Sequence, residues 1–168
     1  LVNIVSSSLR ESNVVVLAPK LGPASQRFFD VGASIRIGDP KTILNTISDV
    51  ILVLCNTIMT ADIICFLKER QTPSIWVLHE FWNAGQIEQQ IKMRPNVSHI
   101  NVEVIKAALQ MASTVVFVCE AQKDLYLSLL GERAIAPYEV IYVGVPSIPH
   151  GDDDADIISY STGGKKKR

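Results

Sequence analysis

Short runs of apolar, mostly β-branched residues recur along this chain, and segments with helical periodicity lie between them. Most of these runs have no polar residue at alternate positions, so both sides of such a strand must be buried. Burial on both sides is typical of a parallel sheet covered by helices. The sequence therefore predicts an α/β fold with a Rossmann-like open parallel sheet and helices on both faces. The predicted strands are residues 13–18, 34–37, 49–55, 74–79, 114–119 and 139–143.

Three segments between the strands have the apolar spacing of helices, namely residues 60–70, 102–111 and 121–130. In the first, Ile63, Ile64 and Leu67 share one stripe, and charged residues follow at its exposed end. The third ends at Gly131, a favoured residue type at a helix C-terminus. The polar connection from His79 to Val102 is long for a compact α/β domain, and within it residues 86–92 fit a short helix.

Length and composition favour one globular domain. The chain has 168 residues, of which 48% are hydrophobic, and this suffices for a core buried on both faces of a sheet. We predict that the domain spans residues 1–146. Hydrophobic periodicity stops after Pro146, so residues 147–168 are predicted to form a linker or tail. The formal net charge is −1 and the basic run at residues 165–168 is confined to this tail, which argues against nucleic-acid binding.

The cysteines and the lengths of the apolar stretches indicate the cellular compartment in which the protein is expected. Cys55, Cys65 and Cys119 lie inside or beside apolar runs without the spacing of metal ligands, which predicts reduced thiols and no disulfide or zinc site. Every apolar stretch is far shorter than the roughly 20 residues needed to cross a bilayer. The sequence therefore predicts a cytoplasmic protein without a transmembrane segment and leaves peripheral membrane contact open.

Polar residues directly follow several predicted strands. In an open parallel sheet, ligands bind beyond the carboxyl ends of the strands, where loops converge and helix N-termini present free amide donors. A histidine at such a position places a titratable ring at the rim of a cleft. We therefore take His79 as the candidate catalytic residue. The candidate substrate-binding residues are Asn56, Thr57, Glu80, Trp82, Glu120 and Gly144.

Each candidate also has a purely structural interpretation. His79 can satisfy a neighbouring backbone group, Asn56 and Thr57 can cap the helix that follows, and Glu120 can complement a helix N-terminus. Trp82 can pack at the rim of the core instead of stacking on a sugar. The chain has no Walker A sequence, no G-x-G-x-x-G after a strand and no G-x-S-x-G elbow, so P-loop, dinucleotide-binding and hydrolase functions lack their usual motifs.

An ordered set of segments resembles the N-terminal domain of group 1 (family 4) retaining glycosyltransferases. The strand VVVLA, the strand DVILV followed by Asn56-Thr57, and PSIWVLHE ending at His79-Glu80 resemble successive strands of that domain. Further on, ASTVVFVCE resembles the a-D-x-V-x-x-x-S strand of the family, and IYVGVP resembles the I-x-N-G-V strand that leads into its second domain. The resemblance covers about residues 9 to 146.

The resemblance implies one half of a GT-B fold. It implies that the acceptor binds this domain, that a nucleotide-sugar donor binds a C-terminal domain, and that His79 reaches the transferred sugar or its phosphate. Transfer would retain the anomeric configuration without a cofactor or an obligatory metal, because basic side chains and helix-end amides stabilise the diphosphate. The acceptor would be a sugar or a lipid- or protein-linked group.

Three departures from the family pattern limit what is expected of this chain alone. The first strand with its glycine-rich loop would precede Leu1, the donor-binding domain would follow, and Val143 stands where asparagine is common. We therefore expect a partial glycosyltransferase that is inactive as this fragment. Two alternatives stay open: a non-enzymatic carbohydrate- or protein-binding module, and a nucleotide-sugar epimerase of the GT-B type.

Overall fold

The computed structural model describes residues 14–94, 99–131 and 133–142. Within these ranges strands and helices alternate along the chain, as the apolar runs predict, except that two helices lie between the fourth and fifth strands. The strands are β1 (Val15–Ala18), β2 (Ser34–Ile37), β3 (Val53–Asn56), β4 (Ser74–Val77), β5 (Thr114–Phe117) and β6 (Tyr138–Val140). The helices are α1 (Ser25–Asp30), α2 (Pro40–Leu44), α3 (Ala61–Glu69), α4 (Ala84–Lys92), α5 (Val102–Met111) and α6 (Glu120–Leu130).

Strand pairing in the described residues is parallel throughout. The strands β3, β4, β5 and β6 form a four-stranded sheet in that order, while β1 and β2 pair with each other in a separate sheet. Helices flank the four-stranded sheet, so the predicted α/β class with a Rossmann-like open parallel sheet is confirmed. Because the strands share one direction, the residues that follow β3, β4 and β5 lie at the same edge.

The hydrophobic core lies against one face of the four-stranded sheet. Cys55, Trp76 and Val115 are side by side in the strand register and are buried. Buried apolar residues of α3 and α5, such as Ile64 and Leu109, belong to the same cluster. Leu54, which points to the opposite face, is 40% exposed.

Local sequence signals explain where several helices begin and end. Asn83 and Gln86 form a capping box at the start of α4, with both reciprocal bonds 3.0 Å long. Asn101 accepts from the backbone N–H of Val104 and so caps α5. Gly131 follows α6 with a φ of 66°, a conformation that glycine adopts without steric cost.

Other boundaries differ from those predicted. Helices α1 and α2 are absent from the prediction because elements of five or six residues are too short to show periodicity. Strand β3 begins at Val53 and not at Asp49, which has a φ of 58°. The predicted domain boundary at residue 146 and the predicted tail lie outside the described residues. Within the described ranges, every helix is too short or too polar to cross a bilayer.

Candidate functional site

The side chains of Asn56 and His79 meet at the carboxyl edge of the four-stranded sheet. Asn56 is the last residue of β3 and pairs in register with Val77, the last residue of β4, so His79 lies two residues beyond the same edge. The Oδ1 atom of Asn56 is hydrogen-bonded to Nε2 of His79, which therefore carries the proton. Both residues are exposed, and Nδ1 of His79 has no hydrogen-bond partner among the described residues.

The carboxylate of Glu80 makes its contacts inside the protein. Its Oε1 accepts from the hydroxyl of Thr57. Its Oε2 accepts from the backbone N–H of Ile58 over 3.1 Å and from that of His79 over 3.2 Å. This half-buried carboxylate therefore connects the turn after β3 with the turn after β4.

Thr57 begins the turn between β3 and α3 and is held by backbone and side-chain contacts. Its N–H donates to the carbonyl of Val77 over 3.0 Å, continuing the strand ladder by one bond. Its carbonyl accepts from the indole Nε1 of Trp76 over 2.9 Å and from the hydroxyl of Thr60 over 2.8 Å. The turn is thus fixed to the buried part of β4.

Helix α6 holds the segment after β4 through two buried polar side chains. The amide nitrogen of Gln122 donates to the carbonyls of Leu78 and Glu80 over 3.2 and 2.9 Å, and its oxygen accepts from the N–H of Val118. The hydroxyl of Tyr126 donates to the same Glu80 carbonyl over 3.0 Å. Burial, together with the Glu80 carboxylate, raises the pKa of Tyr126 well above its ordinary value, so this phenol stays protonated as a donor.

Sequence reasoning missed the role of Gln122 and Tyr126. Gln122 has no exposed surface, although glutamine is usually an exposed residue. Tyr126 lies on the helical stripe of α6, and this signal predicts burial but not the partner of its hydroxyl. These contacts depend on the position of α6 beside the end of β4, and local sequence patterns do not specify that position.

Two of the remaining candidates, Glu120 and Trp82, have partners other than the Asn56–His79 pair. Glu120 is exposed at the start of α6 and forms an ion pair with Lys123. Trp82 is half-buried against the core, and the guanidinium of Arg94 lies 5.7 Å from the centre of its ring. Gly144 falls outside the described residues. Ligand binding by these residues stays a prediction.

A second polar region lies away from this edge, in an open groove of about 480 Å³ beside α2, α3 and α5. There Asp62 accepts from Lys41 over 2.8 Å and contacts His99 over 3.2 Å. We place the candidate site at the Asn56–His79 edge and not in this groove, because strand ends converge only at that edge. No group of three or more potential metal ligands occurs among the described residues.

Comparison of the chain with family models, curated proteins and solved structures finds no match. The resemblance to retaining glycosyltransferases therefore depends on the segments quoted from the sequence. The parallel sheet and the position of His79 are observations of the structure itself.

Proposed function

We propose that this chain forms the acceptor-side domain of a glycosyltransferase that moves a sugar from a nucleotide-sugar donor to an acceptor hydroxyl. In the complete protein a second domain would hold the donor. The observation that carries the proposal is the exposed, hydrogen-bonded pair of Asn56 and His79 at the carboxyl ends of two adjacent parallel strands. Such edges are where open α/β sheets bind their ligands.

The hydrogen bond from Asn56 prepares the His79 ring for a polar ligand. With the proton held at Nε2, a neutral ring offers Nδ1 as an acceptor to a sugar hydroxyl. A protonated ring offers Nδ1–H as a donor to a phosphate oxygen. Either contact lies within the role that the family resemblance implies for His79.

Transfer itself requires one bond to break and one to form. The bond from the anomeric carbon of the sugar to the diphosphate oxygen breaks, a bond to the acceptor oxygen forms, and the acceptor proton passes to the leaving diphosphate. We expect the contribution of His79 to be electrostatic stabilisation of the transferred group, and such a contact is worth about 100-fold or more in rate.

The test is to express the chain joined to the downstream region of the same locus and to assay transfer from a panel of nucleotide sugars. We expect transfer by the wild type and a loss of about 100-fold in kcat/KM for His79→Ala. The matched control is His99→Ala, which removes an exposed imidazole that contacts Asp62 and is expected to leave the rate within about twofold. Absence of transfer across the panel, or equal losses in both variants, would refute the proposal.

One observation favours a non-enzymatic second candidate, a carbohydrate-binding module. Phe81 is 47% exposed directly after the His79–Glu80 turn, and exposed rings of this kind stack on sugar faces. Titration of the chain with sugars would then shift the NMR signals of Phe81 without any turnover in the joined protein. Interconversion of the donor sugar in the absence of transfer would instead indicate an epimerase.

A further inference from the structure

Thr57 has a backbone conformation that β-branched residues rarely adopt. Its φ is 89° and its ψ is 147°, in a region populated almost only by glycine. Strain of this kind persists only where surrounding contacts over-determine the conformation, and it concentrates at functional sites. Two side-chain contacts hold Thr57 there, because its hydroxyl donates to Glu80 and accepts from the backbone N–H of Met59 over 3.3 Å.

The carboxylate of Glu80 contacts His79 and the residue that directly follows Asn56. Through Oε1 it holds Thr57, which directly follows Asn56 in the chain. Through Oε2 it accepts from the backbone N–H of His79 itself. A displacement of this one carboxylate would therefore move both partners of the exposed hydrogen bond.

From these contacts we infer that Glu80 is a positioning residue, which holds the strained Thr57 turn and the His79 backbone so that the Asn56 amide and the His79 ring stay hydrogen-bonded. Its two oxygens already accept from Thr57, Ile58 and His79, so we assign its main role to supporting the ring. The inference deepens the proposed function and rests on it only for what the ring does to a ligand.

Hydrogen exchange of the His79 ring tests, on the 168-residue chain alone, whether Glu80 keeps this ring hydrogen-bonded to Asn56. In ¹⁵N-labelled protein, the Nε2 proton is shielded by its bond to Asn56. Glu80→Gln keeps the side-chain shape but leaves one acceptor oxygen for three donors. We expect the ring proton to exchange about 3- to 10-fold faster, as the loss of one net hydrogen bond predicts. Glu88→Gln removes the same charge from an exposed position of α4 and is expected to leave the exchange rate unchanged.

A matched pair at Thr57 separates the hydroxyl from the backbone strain. Thr57→Val keeps the shape and the β-branch but removes the donor to Glu80 and the acceptor for the Met59 N–H, so we expect at least the same acceleration as in Glu80→Gln. Thr57→Ser keeps the donor and is expected to exchange like the wild type. Urea unfolding of each variant, measured in parallel, identifies any loss of global stability. If Glu80→Gln does not fold, the Val and Ser variants decide the question.

The inference would be overturned if the His79 ring proton exchanged at the wild-type rate in folded Glu80→Gln and Thr57→Val. It would also be overturned if Thr57→Ser accelerated this exchange as much as Thr57→Val. In the sugar-transfer assay, Glu80→Gln is expected to lower kcat with little change in donor KM, because the ring is misplaced while donor contacts remain. A raised donor KM at unchanged kcat would assign Glu80 to donor binding instead. The exchange measurement requires no transfer, so failure of the proposed function and failure of the positioning role are distinguishable.

Discussion

The indole nitrogen of Trp76 donates a hydrogen bond to the backbone carbonyl of Thr57 over 2.9 Å, and the Trp76 side chain has no exposed surface. The largest side chain of the core is thereby bonded to the strained residue at the candidate site. Packing of the core and geometry of the site are thus coupled at this one contact.

Trp76→Phe should be markedly destabilising. The smaller ring leaves a void in the core and removes a donor from the Thr57 carbonyl, and together we expect a loss of about 2 kcal/mol in the free energy of unfolding. Urea unfolding followed by circular dichroism measures this loss. Trp82→Phe, at a half-buried position, is the control and should lose less than about 1 kcal/mol. Equal losses of unfolding free energy in the two variants would contradict a special role for the contact between Trp76 and Thr57.

Gln122→Met tests the polar link between α6 and the end of β4. Methionine has a similar shape but removes the Gln122 partner of the Val118 N–H and of the Leu78 carbonyl, while the Glu80 carbonyl keeps its hydrogen bond from Tyr126. Unsatisfied buried groups cost about 1–3 kcal/mol, so we expect a loss of roughly 2–4 kcal/mol in the unfolding free energy. Gln89→Met on the exposed side of α4 should stay within about 0.5 kcal/mol of the wild type. Similar stability of both variants would show that the link is not stabilising.

The order of strands and helices could be predicted because each signal extends over several residues. The bounds of α5 match the predicted segment of residues 102–111, where the apolar stripe is continuous. Residues 49–52 were predicted as strand from their apolar character. In the structure Val53 pairs with Ser74, the first residue of β4, and no strand from the described part of the chain pairs with the residues before Val53.

The site could be predicted only in part. Asn56 and His79 were identifiable because parallel strands bring their carboxyl ends to one edge. The positive φ of Thr57 and the contacts of the Glu80 carboxylate depend on packing between turns more than 20 residues apart. No local pattern in the sequence specifies such contacts.

Tyr126 should make stability fall in alkaline solution. Burial raises its pKa above the ordinary value of 10.0, so the unfolded chain loses the phenol proton first as the pH rises. The contribution of the protonated Tyr126 hydroxyl to the free energy of unfolding is therefore complete below pH 10 and is lost as the pH rises above that value. We expect the urea midpoint to fall above about pH 10, and less steeply in Tyr126→Phe. Tyr138→Phe, at a position that is 42% exposed, should leave the decline as in the wild type. An identical decline in the wild type and Tyr126→Phe would contradict the assignment.

Cys55 should resist alkylation in the folded protein. Burial raises the pKa of its thiol to about 12, so only about one molecule in 10,000 carries a thiolate at pH 8. We expect iodoacetamide to label Cys55 at least about 100-fold more slowly in the native protein than in urea. Mass spectrometry of the peptides locates the label. Comparable rates in the two conditions would show that the thiol is accessible.

The two separate sheets should differ in the free energy that is needed to unfold them locally. In the described residues, β1 and β2 share no ladder with the four-stranded sheet, and no residue of β1, α1 or β2 is buried. Regions with few buried contacts open at a lower free energy than a central sheet. Among the described residues, we therefore expect a protease to cleave within residues 15–37 before it cleaves the edge of the sheet that carries His79.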